Sequence, residues 1–157
     1  MTKKLLGSLM FCLLLTVFPL LVVQAGERFL DNGDGTVTDT LTNLMWAQAD
    51  NMGDITWHDA QIYCKNPPLA GYKYLDWRLP TILELGTLYN KDLKGYESDC
   101  GLEVKIYPMI RLSCAWVWTI DSMAISAYAF SFRKGYHYST LMLTKKNYRA
   151  LPVRSIK

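Results

Sequence analysis

The spacing of apolar and polar residues changes character several times along the chain, and each change predicts an element. Residues 5–23 are almost wholly apolar, interrupted only by Gly7, Ser8, Thr16 and Pro19; Lys3 and Lys4 precede them and Val23-Gln24-Ala25 follows. A basic start, an apolar centre and a small-residue exit form an export signal, with cleavage expected after Ala25. A retained membrane anchor is the rival, since the run approaches the ~20 residues that span a bilayer, but Pro19 and Ala25 argue against it. Cys12 follows bulky Met10 and Phe11, unlike a lipidation site. Contact with a membrane is therefore expected only through the cleaved signal.

Beyond Gly26 the pattern is that of a folded domain. Short β-favouring runs (Phe29, Thr36-Val37-Thr38, Leu44-Met45-Trp46) flank the turn-rich cluster Asp31-Asn32-Gly33-Asp34-Gly35, which predicts antiparallel strands joined by a tight turn. A helix is predicted from Thr56, which can cap it, with Asp59 three positions on and Trp57, Ala60 and Cys64 at helical spacing; Pro67 and Pro68 end it. Thr81 and Glu84 predict a capping box for a second helix, whose apolar face carries Ile82, Leu85, Leu88 and Tyr89. Residues 91–113 read as irregular. Three β-type runs follow, including a stretch in which Tyr128, Phe130 and Phe132 alternate with Ala127, Ala129, Ser131 and Arg133. That alternation predicts a half-buried strand leading into a Lys134-Gly135 hairpin turn. Strands, two helices, a long loop and strands again make an α+β fold.

Composition refines this picture. Residues 26–157 suit a single domain, large enough to bury a core without help from metals. Its cysteines are Cys64, Cys100 and Cys114. In an oxidising compartment this odd count means one bridge and a leftover thiol, or a bridge to another chain. Short spacing favours Cys100 with Cys114, worth about 3 kcal/mol on the chain-entropy argument, and leaves Cys64 over. The charge of the whole chain is +3, and fifteen basic residues face fourteen acidic ones once the signal is removed. That near balance hides a split: residues 26–121 hold eight basic and all fourteen acidic residues, whereas residues 122–157 hold seven basic and no acidic ones. Such a basic segment marks either solvated strand edges or a face for anionic partners.

Several motifs, taken in order, resemble one family. They are Arg28-Phe29, Asp31 to Asp39, Thr42 with Leu44-Met45-Trp46, Thr56-Trp57 with Ala60 and Tyr63-Cys64, Asp76 to Thr81, Glu84-Leu85, Trp116, Trp118 and Arg154. Together they resemble the Lcl C-terminal domain family, the domain that closes the collagen-like adhesins of Legionella, over residues 27–157. Arg78 to Glu84 is also similar to a segment of formylglycine-generating enzymes. The resemblance implies a C-type-lectin-like fold: a twisted antiparallel sheet with two helices and an irregular long-loop region. It also implies adhesion, with sulfated or otherwise anionic glycans as the ligand class and possible homo-oligomers, since the adhesins self-associate as trimers. Two departures stand out. Asn43 replaces the usual glycine after Thr42, and the family's frequent cysteine near the final Arg is absent from the Ala150-to-Arg154 ending, which leaves Cys64 without that partner.

Placing Gly35 at the invariant glycine of an EF-hand loop puts Asp34 and Asn32 on ligand positions but Leu30 at the first and Leu41 at the last. The stretch therefore reads as a turn, and no metal or other cofactor is expected. Arg78 is expected to fasten a loop by pairing with Asp76 or Glu84, and Trp46, Trp57 and Trp77 to belong to the core. Catalysis is not expected. There are two histidines, His58 and His137, without metal-ligand spacing, and no nucleophile elbow or phosphate loop.

Binding chemistry concentrates instead in the basic C-terminal third. Arg133, Lys134, Lys145, Lys146 and Arg149 interleave with Tyr136, Tyr138 and Tyr148, and Trp116 and Trp118 extend the set. Cations attract sulfate or carboxylate groups, and aromatic faces stack on sugar rings. The same mixture suits single-stranded nucleic acid, but export favours an anionic glycan or another cell-surface component and no nucleic acid. The expected protein is an exported, non-catalytic recognition or adhesion module, periplasmic or extracellular. The alternative is a periplasmic assembly protein that binds a protein partner, with Cys64 as a mixed-disulfide handle.

Overall fold

The structure, a computed structural model, describes residues 27–69 and 74–156. The expected signal, residues 1–25, lies outside the described residues. The fold is α+β, with two helices and sheets that are almost entirely antiparallel.

A smaller sheet brings the two ends of the described chain together. Its strands are β1 (Phe29–Asp31), β2 (Thr36–Asp39), β3 (Leu44–Ala47) and β10 (Val153–Ser155), in the order β1-β2-β3-β10. The turn between β1 and β2 closes because Gly33 and Gly35 adopt φ of 73° and 84°, values that cost glycine nothing. Asp31 Oδ1 accepts the Gly33 amide at 2.8 Å and Asp34 Oδ1 accepts the Thr36 amide at 3.1 Å. Arg28 clamps Asp39 with two bonds, Nε to Oδ1 at 2.9 Å and Nη2 to Oδ2 at 2.7 Å. Asn43, at the family's usual glycine position, takes φ 53°, a left-handed turn that asparagine tolerates.

Helix α1 (Trp57–Lys65) starts at Thr56, which accepts the Asp59 amide, and buries Trp57, Ala60 and Cys64. Helix α2 (Ile82–Leu88) carries the predicted capping box and buries Leu85 and Leu88. Tyr89 ends that helix and Ile82 is only half-buried, so its apolar face is narrower than the spacing predicts. The irregular segment that follows contains a small hairpin, β4 (Tyr96–Glu97) with β5 (Glu103–Val104), and the Cys100–Cys114 disulfide.

The larger sheet has the order β8-β7-β6-β9, from β6 (Trp116–Met123), β7 (Ser126–Ser131), β8 (Tyr136–Leu141) and β9 (Tyr148–Arg149). Strand β9 runs parallel to β6. Here the structure corrects one expectation: β7 is buried on both faces, not half-buried. Ala127 and Ala129 pack in one cluster with Trp57, Ala60 and Cys64 of α1. Phe130, with Phe132 just beyond the strand, packs with Leu85 and Leu88 of α2 and with Trp46, Val37 and Val153 of the smaller sheet. The alternation is thus one of small against large residues, each fitted to its own helix, and it mimics a wet face only because alanine and serine are uninformative about burial.

Candidate functional site

Strand register aligns four residues in a row at one end of the larger sheet. Trp116 lies opposite Tyr148 on β9 and Ser131 on β7, and Ser131 lies opposite Tyr136 on β8. One register step along, Trp118, Ala129 and Tyr138 form a second row. Directly paired residues in a sheet share a face, so both rows present their rings on the α1 side. Trp116 stands edge-on to Tyr138 and to Tyr136, with ring centroids 4.7 and 6.0 Å away. Tyr138 and Tyr148 join through their hydroxyls. Burial, then the bond to Tyr148, pushes the Tyr138 phenol far above its ordinary value, so it stays protonated.

The same register fixes where the cations stand. Arg133 and Lys134 occupy the turn between Ser131 and Tyr136, and Lys145 and Lys146 the loop that enters β9 at Tyr148. All four are exposed. Two separate turns, one before β8 and one after it, therefore deliver their charges to the end of the sheet that carries the aromatic row.

Not every expected surface residue reaches the surface. Trp118 is wholly buried: its ring stacks on Tyr148 at 4.5 Å between centroids, and its Nε1 donates to the Ile55 carbonyl at 3.0 Å. Tyr148 is buried by that stack. Arg149 faces inward, opposite Val117 in register, and belongs to a buried network. These three residues support the site from beneath, because α1 and the 49–54 loop cover that part of the sheet. Trp116 and Tyr138 are half-buried and Tyr136 is 45% exposed. The accessible set is thus Trp116, Tyr136, Tyr138, Arg133, Lys134, Lys145 and Lys146.

The network around Arg149 is invisible in the sequence. Its Nε donates to Ser113 Oγ at 2.6 Å and its Nη1 to Asp54 Oδ1 at 2.8 Å. Ser113 in turn donates its amide to Asp50 Oδ2 at 2.7 Å, and Asp50 also accepts the Met52 amide. Burial pushes the Asp50 carboxyl up, opposed by the Met52 and Ser113 amides, the Ser113 hydroxyl and the Arg149 charge. Asp54 is lowered by its bond from Arg149 and by the Asn147 amide. The partners of Asp50 and Asp54 stand some sixty and a hundred positions away, beyond the reach of any local pattern. A second residue that escaped the sequence reading is Ser131. Its Oγ lies in the row between Trp116 and Tyr136, buried and without a hydrogen-bond partner.

The remaining candidates are accounted for elsewhere. Trp46, Trp57 and Trp77 are buried. Arg78 binds Glu84 with two bonds at 2.8 and 2.7 Å, while Asp76 pairs with Arg154 at 2.8 Å. Burial pushes the Glu84 carboxyl up, but bonds from Arg78 and the Thr81 amide outweigh it and leave Glu84 below its ordinary range. Cys64 is a buried free thiol, and desolvation pushes its pKa far above the ordinary cysteine value. Among the described residues, no group of three or more His, Cys, Asp or Glu side chains is placed to hold a metal ion. No helix among them is long and apolar enough to cross a membrane.

Comparison with known proteins agrees with the sequence motifs. No curated protein matches the chain. The sequence pattern of the Lcl C-terminal domain matches residues 35–154, which is most of the chain, and the protein belongs to that family, an adhesin-type module.

Proposed function

We propose that this Lcl C-terminal domain protein is an exported, non-catalytic recognition module that holds anionic, sulfated polysaccharide at the basic end of its larger sheet. One observation carries the reading: the Tyr148–Trp116–Ser131–Tyr136 row places the turns bearing Arg133, Lys134, Lys145 and Lys146 at the same end as the aromatic cluster. Exposed cations draw a polyanion, with an attraction that salt screens. Tyr136 and the exposed part of Trp116 offer apolar ring surface for a sugar. The Cys100–Cys114 bridge fits an exported protein. Burial of Cys64 takes away both the thiolate that a cysteine enzyme needs and the handle that a mixed disulfide would use.

Chromatography on heparin-type resin tests the proposal. The protein is expected to bind at low salt and to elute as salt rises. Lys145→Ala/Lys146→Ala and Arg133→Ala/Lys134→Ala should each elute earlier. Tyr136→Ala should bind a sulfated oligosaccharide about two- to tenfold more weakly, the value of one aromatic contact. Equal, negligible retention of the parent and both double variants would sink the proposal.

A further inference from the structure

The larger sheet ends in a strand that lacks the usual protection. Other sheet-edge strands among the described residues are short: β1 and β10 have three residues each and β9 has two, one of them the buried Arg149. Strand β8 has six, Tyr136-His137-Tyr138-Ser139-Thr140-Leu141, with no Lys, Arg, Asp, Glu or Pro and no break in its register with β7. Natural edges are blunted by shortness, charge, proline or a bulge, and β8 has none of these. The Met142 amide donates to the Ile125 carbonyl, which fixes the alternation of the ladder. Tyr136, Tyr138 and Thr140 therefore turn their backbone groups toward β7, and His137, Ser139 and Leu141 turn theirs outward.

The apolar side chains left in water lie at the same place. Met123 at the end of β6, Ile125 in the turn after it, Leu141 at the end of β8 and Leu143 just beyond it are all exposed. Ser126 pairs with Leu141, so the two groups meet at the end of the edge strand.

We infer that β8 is a pairing edge for a second copy of this chain, joined antiparallel about a two-fold axis through Ser139. In that register Ser139 faces itself, His137 faces the partner's Leu141, and Tyr138 faces the partner's Thr140. No two charges oppose each other, and an aromatic residue meets a β-branched one, a favourable cross-strand pair. Three hydrogen-bonded pairs contribute about six backbone hydrogen bonds. A two-fold interface needs such a self-complementary patch, and this strand supplies one. The product is one continuous sheet of eight strands. Both aromatic-basic ends lie on the same face, with the two Tyr136 residues about 20 Å apart along the strand direction at ~3.3 Å per residue. A polyanion long enough to reach both ends would then bind with the added avidity of two linked sites.

The test is the molar mass of the protein, purified after export, by light scattering from low micromolar to several hundred micromolar concentration. A monomer–dimer equilibrium is expected, with the His137, Ser139 and Leu141 amides exchanging more slowly as concentration rises. Ser139→Lys sets two like charges opposite each other and is expected to weaken the dimer at least about tenfold. Because Ser139 is exposed, the variant should keep the parent circular dichroism spectrum and melting temperature. Salt separates this pairing from the polysaccharide reading: dimerisation should hold or strengthen as salt rises, whereas retention on heparin should fall. A monomer throughout the range, or an oligomer that Ser139→Lys leaves intact, overturns the pairing and leaves the heparin result to decide the polysaccharide reading alone.

Discussion

Gly135 holds the turn that presents Arg133 and Lys134, and it does so through what it lacks. Its φ is 72°, and a side chain there would overlap the ring of Tyr89 at the end of α2. The ring of Tyr89 thus lies directly on the backbone of the turn and fixes it against the helix. Gly135→Ala would combine a left-handed backbone with overlap, at a cost of about 2 kcal/mol or more. Thermal unfolding of the variant should show a melting temperature several degrees lower; an unchanged value would mean that the turn is not held this way. Lys134-Gly135 was legible as a turn from the sequence, because glycine after a polar residue between alternating runs has few other uses. That its freedom serves Tyr89, forty-six positions earlier, was not legible.

Helix α2 shows how much a local pattern can specify. Thr81 Oγ1 accepts the Glu84 amide, the Glu84 carboxylate accepts the Thr81 amide, and Arg78 donates to the same carboxylate. The first two bonds follow from spacing alone. The third depends on tertiary choice, because sequence left Asp76 and Glu84 as equal candidates. The pairing of Asp76 with Arg154 decides it. Since the folded-state pKa of Glu84 lies below its unfolded value, its ionised form stabilises the fold above about pH 4.3. That contribution is lost as pH falls through the lower folded value. Glu84→Gln should cost about 1–2 kcal/mol at neutral pH, a range discounted for the partly exposed Arg78. Its stability should also fall less steeply in acid than that of the parent. Denaturant titrations of both proteins between neutral pH and pH 3 measure the difference, and parallel acid limbs would exclude this role.

Across the molecule, the disulfide and the Arg149 network fasten the long irregular segment to the sheets. Ser113, next to Cys114, links the Cys100 amide, Asp50 and Arg149. Cys100→Ala/Cys114→Ala should therefore lose about 3 kcal/mol for the loop that the bridge closes. It should also increase hydrogen exchange in residues 49–54 and 111–114, which the network ties together. Loss of stability without that local change would separate the bridge from the network. The cations at risk of mutual repulsion lie at one end of the larger sheet, while the acidic residues lie in the preceding part of the chain. This division of charge is the molecular basis of the expected salt dependence on heparin.

Local chemistry determined the elements. Caps, turn glycines, the prolines after α1 and the β-type alternation each act within a few residues, and they specify two helices, the strand runs and the α+β class. The close cysteine pair and the basic C-terminal third were legible for the same reason, since proximity in sequence limits where such residues can go. Tertiary contact determined everything that depends on which face of a strand another element covers. Trp118, Tyr148 and Arg149 carry the same signature in sequence as Trp116, Tyr138 and Lys146. They are interior because α1 and the 49–54 loop pack over them, and no short-range pattern records that packing. The parallel entry of β9 beside β6 brings the two basic turns to one end of the sheet. The connection through residues 142–147 returns the chain from the end of β8 to that end of the sheet, where Tyr148 pairs with Trp116.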